Sequence, residues 1–211
     1  MLNYSHSAPQ TSHLHTVVIE RGRMSQLLRS VLWRNIRQPG LEYCTLTQTL
    51  PGFLIKGIIL QEINQMPCHI EYGIVCDRAW KTQGFQGDVK LGSAQWSLLV
   101  SIDDQKQWWH ADQELLRLRG CMDVTMGFTP ATYTLSIQRL CLKVGESRAI
   151  TSGWLHLPEL ALEPLAQRYT RLAEKRYRYE CASRGIVTEL EVDDLGMIIC
   201  SEGFWNQMAT G

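Results

Sequence analysis

The sequence has no excess of charge of either sign, because 21 Lys and Arg residues balance 21 Asp and Glu residues. Proteins that bind nucleic acid usually show a basic excess or a basic stripe on one face. We therefore expect no nucleic-acid partner.

Long apolar runs are missing as well. No segment reaches the roughly 18 consecutive apolar residues that a membrane-spanning helix needs. Residues 1–22 lack the basic segment followed by an apolar segment that marks a secretory signal. The sequence predicts a cytoplasmic protein without a transmembrane segment, in which residues 1–22 form a flexible extension and residues 23–211 form one domain.

Close cysteine pairs are also absent. The seven cysteines are an odd number and contain no C-x-x-C pair, which disfavours both a disulfide framework and a zinc ribbon. We expect reduced thiols that mostly fill the core. His6, His13 and His15 lie in the polar N-terminal segment at a spacing typical of no metal site, so no metal is expected.

No motif of a known catalytic or cofactor site is present. The chain has no G-x-S-x-G, no H-E-x-x-H, no Walker loop and no G-x-G-x-x-G after a strand. We therefore expect no cofactor. His69, His110 and His156 lie far apart in the sequence, and a triad with Asp77 or Asp123 remains open.

A period of two residues dominates the chain from Leu41 onward. Apolar residues alternate with polar ones in short segments that are separated by turn residues, which is typical of antiparallel β structure. In one such segment Ile70, Tyr72, Ile74 and Cys76 share a face. The polar stretches 103–107 and 193–196 predict hairpin loops.

Three segments need separate predictions. Apolar residues at helical spacing predict a helix over 24–33, and residues 164–175 are the second helical candidate. Thr129-Pro130 interrupts the alternation within residues 119–140, which predicts two strands joined by a hairpin there. The apolar phase of residues 133–137 is opposite to that of residues 140–144, which predicts a bulge near Gln138-Arg139. The expected fold is all-β with one or two short helices. Its single antiparallel sheet curls strongly and leaves a concave face for a ligand.

Several stretches together resemble one family. They are CTLTQTLPGFLIKGIIL (44–60), EYGIVCDRAWKT (71–82), LRGCMDVTMGFTPATYTLSIQRL (118–140), PLAQRYTRL (164–172) and RYRYECASRGIVTELEVDDLGMII (176–199). Their order and spacing are similar to those of the bacterial putative glycolipid-binding family, over about residues 31–205. The resemblance implies a spiral β-roll, or half-barrel, with an apolar trough for acyl chains. It also implies an amphiphilic small molecule, a glycolipid or fatty-acyl compound, as the binding partner.

The sequence departs from the family pattern at four positions in the central stretch. Thr125 stands for an Asp, Tyr133 for an Asn, Ser136 for a Pro and Gln138 for an Arg. The paired loss of one acidic and one basic residue suggests that a former ion pair was removed together. The ligand of this chain can therefore differ from that of the family.

Eight residues are the candidate ligand-binding set, and each has a structural alternative. They are Asp77, Trp80, Asp123, Thr129, Thr132, Arg139, Tyr169 and Tyr179. Asp77 either accepts a hydrogen bond from the head group of the ligand or caps a turn by accepting backbone N–H groups. Asp123 and Arg139 either fix the register of a hairpin as a cross-strand pair or both point into the trough, where Arg139 clamps an anionic head group. The threonines contact sugar hydroxyls or lie on a wet strand face, and the aromatic residues line the cavity or fill the core.

Three functions follow from these alternatives. The first is a non-enzymatic binder of an amphiphilic lipid-like ligand on the concave face. The second is a hydrolase or isomerase that acts on a lipid-like substrate with Asp123 as base. The third is a scaffold whose trough is filled by its own side chains.

Overall fold

One sheet of 15 strands runs through the part of the chain that the computed structural model describes, residues 25–157 and 160–211. The strand order is β8-β7-β6-β5-β4-β3-β2-β1-β15-β14-β13-β12-β11-β10-β9. The chain therefore winds outward from β1 in one direction and returns through β15 on the other side of β1. The fold is mostly β, and the sheet is open and curled.

The elements have the following bounds. The strands are β1 (Gln26–Asn35), β2 (Gly40–Gln48), β3 (Gly52–Ile63), β4 (Met66–Asp77), β5 (Thr82–Leu91), β6 (Ala94–Ile102), β7 (Trp108–His110), β8 (Gln113–Glu114), β9 (Val124–Met126), β10 (Ser147–His156), β11 (Ala161–Ala173), β12 (Arg176–Cys181), β13 (Ile186–Val192), β14 (Ile198–Ser201) and β15 (Trp205–Thr210). The helix α1 spans Ala131–Leu140, and short 3₁₀ helices span Leu116–Leu118 and Ala182–Arg184.

Alternating burial explains why these segments form strands. Ile70, Tyr72, Ile74 and Cys76 in β4 are each at most 4% exposed, as the period of two predicts. Their neighbours point to the opposite side of the sheet. We call the side that carries the buried residues the inner face and the opposite side the outer face.

The two ends of the sheet are short. β8 has 2 residues and β9 has 3, and short edge strands offer little template for pairing with another chain. The predicted all-antiparallel sheet is correct for every pair except the last, because β9 pairs with β10 in parallel. The predicted hairpin loops at 103–107 and 193–196 are confirmed by the antiparallel pairs β6–β7 and β13–β14.

Both predicted helices over 24–33 and 164–175 are wrong, because these segments are β1 and β11. In β1, Val31 and Trp33 point inward while Leu27 is 56% exposed. Apolar residues on both faces of β1 imitate helical spacing. In β11, Leu165, Gln167 and Tyr169 are buried and alternate with exposed residues. Pairing with neighbouring strands outweighs the helix-favouring composition of both segments.

The prediction for residues 119–140 is also wrong after Met126. Residues 131–140 form α1, without the predicted hairpin and without the predicted bulge. The helix begins after Pro130, whose ring suits a helix start, and the Thr129 Oγ1 accepts the Ala131 N–H at 3.0 Å. It ends at Cys141, which has a left-handed backbone conformation. Its β-branched residues favour a strand, but packing on the inner face decides the structure.

α1 lies against the inner face of the curled sheet. Six of its 10 residues are buried: Ala131, Thr132, Thr134, Leu135, Ser136 and Ile137. Tyr133 meets the ring of Tyr179 in β12 with the ring centroids 4.9 Å apart. The concave face therefore carries a helix in the place where the sequence predicted an open trough.

Some predictions concern residues outside this description. The extension 1–22 with His6, His13 and His15, together with Met24, lies outside the described residues. All seven cysteines are free thiols, and five of them are buried. None of the described helices is long and apolar enough to cross a membrane.

Two glycines on neighbouring strands give a matched test of this packing. A Cβ at Gly57 would lie 2.3 Å from the Tyr72 ring, whereas a Cβ at Gly73 would find its nearest neighbour at 3.7 Å. We expect Gly57→Ala to lower the free energy of unfolding by about 1–3 kcal/mol through overpacking. Gly73→Ala should be neutral or stabilise by up to about 1 kcal/mol. Urea unfolding checks both, and equal effects would contradict the assignment of the two faces.

Candidate functional site

Six of the eight predicted ligand-binding residues come together inside the curl around α1. Thr129, Thr132 and Arg139 belong to α1 or its start, Asp123 precedes β9, and Tyr169 and Tyr179 come from β11 and β12. All six are largely buried. Asp77 and Trp80 lie in the turn between β4 and β5 and share no hydrogen bond with this group.

The centre of the group is a two-pronged ion pair. The Nε and Nη2 of Arg139 each donate to one oxygen of Asp123 at 2.6 Å, and the Ser136 hydroxyl donates to Asp123 Oδ2 at 2.8 Å. Ser136 and Arg139 are three residues apart and thus share a helix face. Asp123 is 1% exposed. The alternative of a cross-strand pair is wrong, because Arg139 lies on a helix and its pair with Asp123 ties α1 to the segment before β9.

A second set of hydrogen bonds extends from this pair along the inner face. Gln167 Nε2 donates to the hydroxyls of Thr125 and Ser152 at 3.0 and 2.9 Å. Tyr169 donates to Gln167 Oε1 at 3.4 Å, and its ring meets that of Tyr179 with the centroids 5.2 Å apart. These polar groups satisfy one another.

The hydroxyls of Thr129 and Thr132 form hydrogen bonds with backbone N–H groups and with one carboxyl group. The Thr132 hydroxyl accepts the Met126 N–H at 3.3 Å. The Thr129 hydroxyl accepts the Ala131 N–H and donates to Glu42 Oε1 at 2.7 Å. Both hydroxyls are therefore engaged within the protein.

Glu42 is a buried carboxyl group that the sequence reasoning did not single out. It is 0% exposed, and the Tyr72 hydroxyl donates to its Oε1 at 2.5 Å. Tyr72 reaches Glu42 across β3 because Gly57 has no side chain. Among the residues that the structure describes, Glu42 Oε2 has no hydrogen-bond partner. The sequence contains one indication of this burial. Glu42 alternates in step with Cys44 and Leu46, which are buried, so its side chain points to the same inner face.

Burial raises the pKa of Glu42 to about 8, against which the hydrogen bonds from Tyr72 and Thr129 act only partly. The carboxyl group is therefore protonated at neutral pH. Burial also raises the pKa of Tyr72 well above its ordinary value. Glu42 and Tyr72 thus form a neutral polar pair in the core.

Asp77 caps the turn between β4 and β5. Its Oδ1 accepts the N–H groups of Ala79 and Lys81 at 2.8 and 2.9 Å. Trp80 stacks on Phe53 with the ring centroids 4.0 Å apart. A concavity of about 70 Å³ lies beside Asp77.

The outer face of β2–β5 carries a larger concavity, which we call the groove. It has a volume of about 270 Å³ and is lined by Tyr43, Thr45, Lys56, Gly57, Ile58, Glu71, Tyr72, Gly73, Gln86 and Asp88. The register places two rows of side chains across these strands: Tyr43, Ile58, Glu71, Asp88 in one row and Thr45, Lys56, Gly73, Gln86 in the next. Gly73 leaves a gap in the second row.

An exposed apolar strip adjoins the groove. Its members are Leu32, Leu41, Tyr43, Ile58 and Leu60. Leu41 faces Leu60 and Tyr43 faces Ile58 across β2 and β3, and these four are 43–59% exposed. On the other flank a narrow apolar concavity near Val75 has only about 20 Å³.

The sequence reasoning missed every residue of the groove. Two features could have indicated it: Gly73 interrupts the strand pattern of β4, and Tyr43 and Ile58 are apolar residues in the outward phase. Among residues 25–157 and 160–211, no three His, Cys, Asp or Glu side chains come close enough to hold a metal ion.

The Asp123–Arg139 pair gives a stability prediction. Asp123→Asn or Arg139→Met alone should lower the free energy of unfolding by about 3–5 kcal/mol, because each leaves a buried charge without its partner. The double variant should lose clearly less than the sum. Guanidinium unfolding at pH 7 measures this coupling.

The exposed pair Arg176–Glu189 is the matched control. Glu189→Gln should cost no more than about 1 kcal/mol. Additive losses at Asp123 and Arg139 would contradict the coupling.

Glu42 gives a pH prediction. Because its pKa rises from 4.5 to about 8 on folding, the folded protein holds one more proton than the unfolded chain between these values. The contribution of Glu42 to the free energy of unfolding is complete below pH 4.5 and is lost as pH rises to about 8. Between these values the free energy of unfolding falls by about 1.4 kcal/mol per pH unit. Glu42→Gln should remove this slope. Urea unfolding from pH 5 to pH 8 measures it, and parallel curves for the two proteins would contradict the assignment.

Comparisons with known proteins agree with the architecture. A crystal structure of a DUF1089 family protein from Pseudomonas aeruginosa superimposes with a TM-score of 0.74 and 23% sequence identity, covering 80% of this chain and 92% of that chain. At this identity the likeness concerns the fold alone. A search of curated proteins finds no match.

A family model matches residues 30–207, which is most of the chain. Its description is "Putative glycolipid-binding". The match includes β2–β5 with the groove and the segment that contains Asp123 and α1. The chain therefore belongs to the family that carries the description "Putative glycolipid-binding".

Proposed function

We propose that the protein is a non-enzymatic binder of an amphiphilic, lipid-like molecule, and that the ligand lies on the outer face of β1–β5. The observation that supports this proposal is the contact between two unlike surfaces, the apolar strip and the polar groove. An amphiphile needs such a pair, with an apolar surface for its chain and hydrogen-bonding groups for its head. The description of the family points to the same class of ligand.

Tyr43 lies where the two surfaces meet. Its ring is 50% exposed, and it belongs both to the strip and to the groove lining. A tyrosine has an apolar ring and a polar hydroxyl, which suits a boundary between an acyl chain and a head group. Contiguous exposed apolar residues that are rimmed by polar ones often mark a ligand-binding groove.

The inner face is the less suitable location. α1 buries six residues there. Asp123 and Arg139 pair with each other, and the hydroxyls of Thr129 and Thr132 bond to Glu42 or to the backbone. A ligand would have to displace α1 and separate the ion pair. On this face the geometry favours the scaffold alternative, in which the protein's own side chains fill the curl.

The enzyme alternative has less support. A general base must have a free oxygen within reach of its substrate, but Asp123 is 1% exposed and both of its oxygens accept hydrogen bonds. For the location we propose the cytoplasm, since seven free thiols fit a reducing compartment.

The apolar strip gives the test. n-Octyl β-D-glucopyranoside, used below its micelle concentration, should bind the full chain in a titration followed by NMR or calorimetry. Ile58→Gln with Leu60→Gln should weaken this binding about tenfold or more, because the loss of apolar contact with two side chains is worth at least ~1.4 kcal/mol. Both residues are exposed, so the fold should keep its stability within about 0.5 kcal/mol each.

Val187→Gln is the matched control, because Val187 is 60% exposed on β13. It should bind like the unchanged protein. Absence of binding by alkyl glucosides and fatty acids alike would refute the proposal. If Val187→Gln weakened binding of the glucoside as much as the double variant does, the strip would not be the binding surface.

A further inference from the structure

The groove contains two carboxylates that face each other across neighbouring strands. Glu71 in β4 pairs directly with Asp88 in β5. Like charges at directly opposed positions destabilise a sheet. Ser97 donates to Asp88 at 2.6 Å and His69 lies 3.4 Å from Glu71. The structure shows neither a lysine nor an arginine in an ion pair with either carboxylate among the described residues.

Gly73 in the same groove has no packing reason to be glycine. Its φ is not positive, and an added Cβ would contact only Gln86 at 3.7 Å and Lys56 at 3.9 Å. Glycine weakens a strand interior, and it often marks a place that a ligand approaches closely. Two local rules of sheet construction are thus broken at adjacent positions, which is typical of functional sites.

The hydrogen-bonding groups of the groove restrict the ligand class. Glu71, Asp88 and Gln86 supply acceptor oxygens, and Lys56 supplies one cation. With two carboxylates against one ammonium group, a phosphate, sulfate or carboxylate head group would be repelled at close range. An uncharged polyol supplies hydroxyl donors for both carboxylates and brings no charge of its own.

From these observations we infer that the groove selects an uncharged sugar head group and rejects anionic ones. The inference rests on the proposed function, since it names the head group of the same amphiphile. The sugar ring lies over Gly73, with its hydroxyls donating to Glu71 and Asp88. Its C–H face packs on the ring of Tyr43, which lies at the end of the same cross-strand row. The tail then continues onto the apolar strip.

Four probes with the same octyl chain test this selection: octyl β-D-glucopyranoside, 1-octanol, octyl phosphate and octyltrimethylammonium. The glucoside should bind at least tenfold more tightly than octanol, and octyl phosphate should bind more weakly than octanol. Tighter binding of octyl phosphate would overturn the inference. Tighter binding of the trimethylammonium compound would also overturn it, because the carboxylates would then select a cation.

Substitutions in the groove separate the head group from the tail. Gly73→Val fills the gap with a residue that suits a strand, and should abolish the preference for the glucoside while octanol binding stays unchanged. Glu71→Gln should reduce the same preference about fivefold or more. Glu163→Gln, at an exposed position of β11, is the matched control and should change nothing.

The two proposals fail in different ways. If octanol and the glucoside bind equally, and Gly73→Val has no effect, the head-group inference is refuted while amphiphile binding on the strip stands. If no octyl compound binds the unchanged protein, both proposals are refuted. Urea unfolding of each variant verifies that the fold is intact.

Discussion

The ion pair between Asp123 and Arg139 holds the helix against the sheet, and the rest of the structure depends on this. Among the described residues the sheet of 15 strands curls without closing, and α1 packs six buried residues against its inner face. Ion pairs removed from water are stable only when both charges and their remaining hydrogen bonds are satisfied, and Ser136 completes this requirement.

The same packing explains why polar residues of the central segment are buried. Thr129 joins α1 to Glu42 and Tyr72 on the far strands of the curl, and Gln167 joins β11 to Thr125 and Ser152. These contacts connect elements that are distant in the sequence. Apart from Glu42 Oε2, which has no partner among the described residues, the polar groups of this set have partners of suitable chemistry, which fixes one position of the helix instead of several.

Because the polar groups of the inner face are used in packing, the two faces of the sheet differ in what they can bind. The inner face is committed to folding, whereas the outer face of β2–β5 combines surplus acceptor oxygens, a missing side chain at Gly73 and adjoining apolar residues. Stability does not require any of these features. Opposed carboxylates and a strand glycine are each slightly unfavourable, and their coincidence in one groove supports the proposed ligand site.

The sequence by itself determined the class of the fold and the inward phase of most strands, because a period of two residues is a local property of the chain. The face of Ile70, Tyr72 and Ile74 could be predicted without any knowledge of neighbours. Residues 131–140 could not, since threonines and isoleucine favour a strand locally and only contacts with β9, β12 and the Asp123 carboxylate make the helix the better solution.

The proposed binding surface could not be predicted from the sequence for a related reason. Tyr43, Glu71, Gly73 and Asp88 come from three different strands, and they adjoin only because the register aligns them. Glu42 likewise resembles an ordinary strand carboxylate until Tyr72 and Thr129 enclose it. Periodicity fixes which residues share a face within one strand. The pairing register, which depends on contacts all along the sheet, decides which side chains of different strands become neighbours.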